Sequence, residues 1–417
     1  MDRMAVSGGQ VLNGRVKASG AKNSALKLLF STILAEGTHQ FKNVPELKDI
    51  ESTSALLESL GIQCERKGED FLVHSKKLNS LQASYDLVRK MRASILCLGP
   101  MLTKYGEAVV SLPGGCAIGS RPIDLHLDGM RALGAEIELK EGFVHAKAKR
   151  LKGATFLFEN VTVGGTENMM MAAALAEGTT ILENAAKEPE IVDLAEYLIK
   201  MGAKITGHGT SIMKIEGVEK LKPASHTVMP DRIEAGTLLI AGAITGGEVT
   251  VEKCVPSHLD ALLFKLKEAG FKISQTDTTM TVECAKSWDA VDITTSPYPQ
   301  FPTDLQAQFM ALMCVANGTS VISETVFENR FMHVQELMRL GADITPKSRV
   351  SVVRGIPNGL TAAPVMATDL RASACLVLAG LVAKGETVVN RIYHLDRGYE
   401  KMEDKLTSLG AKVKRIV

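Results

Sequence analysis

"LAEGTHQFKN", Leu34 to Asn43, and "LAEGTTILEN", Leu175 to Asn184, begin with the same five residues although they lie in different halves of the first 200 positions. Each places a glycine at the end of a helix-period segment, where a C-cap calls for positive φ, and follows it with an alternating strand. The same phrase recurs as "KYGEAVVSL", "TGGEVTVEK", "VANGTSVISE" and "VAKGETVVN", giving the glycine series Gly37, Gly106, Gly178, Gly247, Gly318 and Gly385. About two dozen residues after each comes a second glycine, in phrases of the form Leu-Gly, Met-Gly or Ala-Gly: Gly61, Gly134, Gly202, Gly270, Gly341 and Gly410, at intervals of 73, 68, 68, 71 and 69.

A period near seventy residues is too long for a small solenoid repeat. Each copy reads as βαβαββ, and six copies fit two globular halves of three. The change of half is expected near "HTVMPDRIEAG", around residue 230. The stretch from Met1 to about Gly20 precedes the first copy and is expected to complete the last. The domains are therefore expected as 22–229 and, discontinuously, 1–21 with 230–417.

Composition narrows the function. Of 417 residues 45% are hydrophobic and 23% charged, with a net charge of +1, so no general attraction to nucleic acid or anionic membrane is expected. No stretch approaches a membrane span and the opening residues lack a signal-peptide core. Seven scattered cysteines with no CxxC suggest reduced thiols in a cytoplasm, without a disulfide framework or a zinc site. No P-loop or GxGxxG spacing supports ATP or a dinucleotide, so no cofactor and no metal is expected.

Basic residues stand where a helix disfavours them. Lys22, Arg92, Arg121, Arg232, Arg330, Arg371 and Arg397 fall at or beside expected helix openings, where a cation costs about 0.3 to 1 kcal/mol unless compensated. Two explanations stand open. Each has a neighbouring carboxylate, from Asp124, Asp231, Glu328, Asp369 and Asp396, or several openings converge on a site for phosphate or carboxylate.

Within "LPGGCAIGSRP", Leu112 to Pro122, Cys116 follows two glycines and precedes an expected helix start near Gly119, with Arg121 close behind. Such surroundings stabilise a thiolate and suit a nucleophile or an acid working near neutrality. Cys97 and Cys375, on apolar helix faces, read instead as small buried hydrophobes. Asp304 in "FPTDLQAQ" and Asp369 in "MATDLRAS" both have the form of an N-cap, and either one also suits a general base. His126, His333 and His394 read as structural or supporting groups.

Together "SGAKNSALKLL", "LPGGCAIGSRPIDLH", "NAAKEPEIVDLA", "FPTDLQAQF", "ETVFENRFMHV", "MATDLRASA" and "RIYHLDRGYE" resemble the UDP-N-acetylglucosamine enolpyruvyl transferases, over essentially the whole chain. The resemblance implies a two-domain inside-out α/β barrel of six βαβαββ units, with its active site in the interdomain cleft. It implies transfer of the enolpyruvyl group of phosphoenolpyruvate to the 3-hydroxyl of UDP-N-acetylglucosamine, with release of phosphate, as an early step of peptidoglycan synthesis. It assigns Lys22, Asn23, Arg121, Arg330, Arg371 and Arg397 to phosphoenolpyruvate. Cys116 becomes the general acid, the covalently modified residue and the target of fosfomycin, and Asp304 the group that binds and deprotonates the sugar hydroxyl. Arg92, Arg121, Pro122, Ile123, Asp124, Leu125, Thr162, Val163, Gly164, Asp304, Val326 and Phe327 are assigned to the UDP-sugar. Asn160 stands where some members carry lysine, which puts a phosphate contact there in doubt. The alternatives are the sister enzyme acting on shikimate 3-phosphate, which lacks the "PGGC" loop, and a catalytically silent UDP-sugar sensor.

Overall fold

Helices that are apolar on every side organise the chain. The computed structural model describes residues 2–88, 91–112, 123–283 and 285–416, the side chain of Arg92 apart. Within these, residues 2–19 with 230–416 form one unit, called here the two-segment unit, and the chain between forms the single-segment unit.

Each unit holds three four-stranded sheets, and all six share one pattern of pairing. In the third repeat the order is strand Thr155–Leu157, helix Val163–Ala173, strand Thr179–Glu183, helix Pro189–Lys200, then strands Lys204–Thr206 and Ile212–Glu216. That is the expected βαβαββ. Thr155–Leu157 pairs in parallel with Thr179–Glu183, which pairs antiparallel with Ile212–Glu216, which in turn pairs antiparallel with Lys204–Thr206. No sheet closes on itself among the described residues: each unit sets three separate sheets around its buried helices, as the expected inside-out architecture requires.

The N-terminal stretch serves two repeats. Arg3–Ser7 lies antiparallel between Glu386–Asn390 and Lys412–Ile416, with Met4 opposite both Val389 and Arg415, and so completes the last repeat. Gly14–Lys17 joins the fourth repeat instead, parallel to Val249–Glu252.

The first helix of each repeat is largely buried, and in the two-segment unit it is buried on every side. In Arg232–Ile244 every residue from Ile233 onward is buried, and so is all of Gln306–Met313 and nearly all of Leu370–Val382. Such helices have no face to offer water, so they pack on one another and on the sheet of their own repeat. The second helices are two-sided: Pro189–Lys200 buries Ile191, Leu194, Ala195 and Leu198 and leaves Glu196 and Lys200 outside.

All six repeat-closing glycines, from Gly61 to Gly410, have φ between 87° and 106°, the left-handed region that disfavours any side chain. The fourth member of the other series departs from expectation. There Gly246 takes positive φ, at 68°, while a Cβ on Gly247 would lie 1.8 Å from the Leu12 carbonyl oxygen. The positive φ therefore falls one residue earlier than the alignment of repeats suggests, while Gly247 is needed for close backbone approach.

Leu239 is fully buried among the three central helices of its unit. Leu239→Ala is expected to cost about 2–5 kcal/mol of unfolding free energy, measured by urea denaturation.

Candidate active site

In the two-segment unit two arginines close on one carboxylate. Asp304 lies in the one-turn 3-10 segment Thr303–Leu305 that leads into Gln306–Met313. Arg330 Nη2 donates to its Oδ1 at 2.6 Å and Arg371 Nη2 to its Oδ2 at 3.1 Å. The arginine side chains are 5% and 6% exposed while that of Asp304 keeps 26%, so the carboxylate remains reachable by a hydroxyl. Burial opposes ionisation of Asp304, yet the Arg371 and Arg330 guanidiniums outweigh it and hold the carboxyl well below its usual range.

The two Thr-Asp phrases, alike in sequence, thus separate in function. Asp369 Oδ1 accepts from the backbone N–H of Arg371 at 2.8 Å and of Ala372 at 3.1 Å, which makes it the helix N-cap. Asp231 caps Arg232–Ile244 in the same way. Asp304 caps nothing and faces cations. The carboxylate that neutralises Arg330 and Arg371 is far away in the sequence, because Asp369 is turned to the backbone and Asp396 pairs with Arg415 at 2.6 Å. Arg397, expected at a helix opening, lies instead at the end of the 3-10 segment Ile392–Arg397.

Supporting groups surround the clamp. The Arg371 guanidinium carbon stands 5.4 Å from the centre of the Tyr399 ring, and the Tyr399 hydroxyl accepts from Gln308 Nε2 at 2.9 Å and pairs with Thr237 at 3.0 Å. Burial pushes His333 down to about 4, with Asp369 opposing and Arg330 adding, so it is neutral at pH 7. Arg330 also lies 5.3 Å from the centre of the Phe327 ring, next to Val326.

The single-segment unit gathers a second set at helix N-termini. Lys22 opens Lys22–Ser31 and its Nζ is 3.2 Å from Asp49 Oδ2. One turn on, Lys27 reaches the Asn23 carbonyl oxygen and lies 3.4 Å from Glu167 Oε1. Burial pushes Glu167 up to about 8 against the pull of Lys27, with Glu190 and Glu188 adding to the rise. Thr162 Oγ1 accepts from Gly165 N–H at 3.2 Å and caps Val163–Ala173. The His126 ring would lie 3.2 Å from a Cβ on Gly164, and its Nδ1 is 3.1 Å from Asn168 Nδ2. These contacts bring Asp124–Ala132 and Val163–Ala173 together at His126, Gly164 and Asn168. Asn160 is exposed.

Cys116, Arg121 and Pro122 lie outside the described residues, as does the Arg92 side chain. Burial pushes the thiols of Cys97 and Cys314 up to about 12 and that of Cys375 well above its usual value. All three behave as small hydrophobes. Among the described residues no group of three or more His, Cys, Asp or Glu could hold a metal ion, and no helix is long and apolar enough to cross a membrane. Sequence reasoning missed Asp49, Glu167, Thr303, Glu324 and Tyr399 as supports. Thr303 precedes Asp304 in a phrase that reads as a cap, Glu324 and Tyr399 lie within quoted phrases without a chemistry of their own to single them out, and nothing local marks Asp49 or Glu167.

Repeated three-sheet units around buried helices are the architecture of the enolpyruvyl transferases. The enolpyruvyl transferase NikO from Streptomyces tendae superposes with a TM-score of 0.89 at 25% identity, covering 99% of this chain and 98% of that one. An EPSP synthase from Acinetobacter baumannii shares the fold with a TM-score of 0.77 at 17% identity, each chain covered in full. Residues 6–406 match the family profile of EPSP synthase (3-phosphoshikimate 1-carboxyvinyltransferase). The chain belongs to this family of enolpyruvyl transferases, and within it to the UDP-N-acetylglucosamine 1-carboxyvinyltransferases. A relative of that name from Bdellovibrio bacteriovorus is 75% identical over 99% of this chain and 100% of its own. One from Geobacter metallireducens is 57% identical over the full length of both.

The clamp gives stability a definite pH dependence. The Asp304 carboxyl lies lower in the folded than in the unfolded chain, so its contribution is present above about pH 4 and is lost as pH falls through the folded value. Asp304→Asn is expected to lower stability at pH 7 by roughly 2 kcal/mol, with two arginines left unneutralised. Urea denaturation is expected to show that gap constant above pH 5 and narrowing below pH 4.

Proposed function

We propose that this chain transfers the enolpyruvyl group of phosphoenolpyruvate to the 3-hydroxyl of UDP-N-acetylglucosamine and releases phosphate. The observation that carries this reading is full-length identity of 75% to a relative of that name. The EPSP synthase profile describes the wider family, and the solved EPSP synthase is only 17% identical, so shikimate 3-phosphate is the weaker acceptor. The product suits peptidoglycan synthesis, and the nucleotide-sugar and phosphoenolpyruvate substrates suit a cytoplasmic enzyme.

In this scheme Cys116 gives a proton to C-3 of the enolpyruvyl group, and the developing cationic centre at C-2 is attacked by the sugar oxygen. Asp304 takes the hydroxyl proton. Loss of a C-3 proton and departure of phosphate from the tetrahedral intermediate then restore the double bond. Lys22, Arg121 and Arg397 stabilise the phosphate, with Asn23 beside them and Arg330 and Arg371 near the developing charge. Ile123, Asp124, Leu125, Thr162, Val163 and Gly164, together with Arg92, Pro122, Val326 and Phe327, hold the UDP-sugar. The domains are taken as 22–229, which carries Lys22, and 1–21 with 230–417, which carries Asp304 and its arginines.

A carboxylate shared by two guanidiniums is a weak base. An incoming anion competes for the same two arginines, so its arrival returns basicity to Asp304 when the hydroxyl is present. Asp304→Asn is accordingly expected to bind inorganic phosphate about tenfold more tightly by titration calorimetry while losing turnover.

The decisive assay measures phosphate release from phosphoenolpyruvate with UDP-N-acetylglucosamine and, separately, with shikimate 3-phosphate. Release with the first alone is expected, and no release with either overturns the reading. Cys116→Ala is expected to lose most turnover at neutral pH and to resist fosfomycin, whereas Cys116→Asp keeps activity and also resists. Full fosfomycin sensitivity of the Ala variant removes the thiol from the scheme.

A further inference from the structure

Glu324 has no place in the scheme above, yet it is 1% exposed and four donors converge on it. Its Oε1 accepts from Thr295 Oγ1 at 2.8 Å, from Val326 N–H at 2.8 Å and from Phe327 N–H at 3.1 Å. Its Oε2 accepts from Thr303 Oγ1 at 2.8 Å. With its proton committed to Glu324, Thr303 Oγ1 turns a lone pair to Arg330, whose Nη1 donates to it at 2.9 Å. The other end of the same guanidinium holds Asp304 at 2.6 Å.

Only an acceptor without a proton of its own satisfies this arrangement. All four partners donate, so a neutral amide must present its NH2 either to two backbone N–H groups or to a hydroxyl that has nowhere else to place its hydrogen. One carboxylate thereby fixes two things. Through Oε1 it shapes the turn that presents Val326 and Phe327, and through Oε2 and Thr303 it sets the approach of Arg330 to Asp304. Thr295, fully buried, ties the device to its sheet, since its Oγ1 also accepts from Thr325 N–H at 3.0 Å.

We propose that Glu324 is a positioning residue for enolpyruvyl transfer, with one arm that orients the UDP-sugar turn and a second arm, through Thr303, that orients Arg330 towards phosphoenolpyruvate. The inference rests on the function proposed above. The two arms are separable by substitution, which gives the idea a signature that loss of general stability does not share.

Steady-state kinetics of the full chain with both substrates tests it. Thr303→Val cuts only the Arg330 arm and is expected to raise KM for phosphoenolpyruvate about tenfold while KM for UDP-N-acetylglucosamine stays within about twofold. Thr303→Ser, which restores the hydroxyl, is expected to return the first value to wild type. Glu324→Gln, seated to keep the backbone turn, is expected to resemble Thr303→Val, and Glu324→Ala to raise both KM values. The proposal is overturned if Thr303→Val leaves both KM values unchanged or raises them equally, or if Thr303→Ser fails to rescue. Wild-type protein that releases no phosphate refutes the function itself, whereas an active wild type with an indifferent Thr303→Val refutes only the role of Glu324.

Discussion

A helix with no polar side has to be covered on every side, and that requirement shapes both units. Arg232–Ile244, Gln306–Met313 and Leu370–Val382 fill their own interior, their few buried polar side chains such as Thr237 and Gln308 bonding to one another, and leave their ends for charged groups. At the N-terminal ends, unsatisfied N–H groups attract Asp231, Asp369 and, in the other unit, the Thr162 hydroxyl. Chemistry collects there because nowhere else on these helices is open to it.

Asp304 marks where that rule is bent. It stands before a buried helix as a cap would, but it gives its oxygens to guanidiniums and leaves the backbone to others. Attraction across 2.6 and 3.1 Å outweighs the cost of taking its charge from water. Two cations and one anion leave a net positive charge, which suits a site whose ligand brings negative charge of its own.

Much of this architecture is legible in the sequence because it rests on local chemistry repeated six times. Positive φ at Gly61 and its counterparts is a backbone demand that only glycine meets cheaply, so the period shows as spacing. The strand role of the N-terminal stretch follows from counting what the last repeat lacks. What stayed hidden is long-range: Asp304 and Asp369 share a Thr-Asp phrase and differ only in what lies opposite, and the residue that arranges Arg330 and Phe327 is an unremarked glutamate at a strand end. The slip from Gly247 to Gly246 has the same origin, since the Leu12 carbonyl that forbids a side chain comes from 235 residues away.

Among the described residues the strand Arg3–Ser7 pairs only with Glu386–Asn390 and Lys412–Ile416. During translation it emerges long before either partner and waits while the intervening chain is made, an interval of tens of seconds at typical elongation speeds of about 5–20 residues per second. The unit encoded between can meanwhile gather its own sheets. A nascent chain of this topology thus completes the intervening unit before this sheet, and the strand Arg3–Ser7 spends that time as an unmated edge that the cell must keep from pairing with a neighbour.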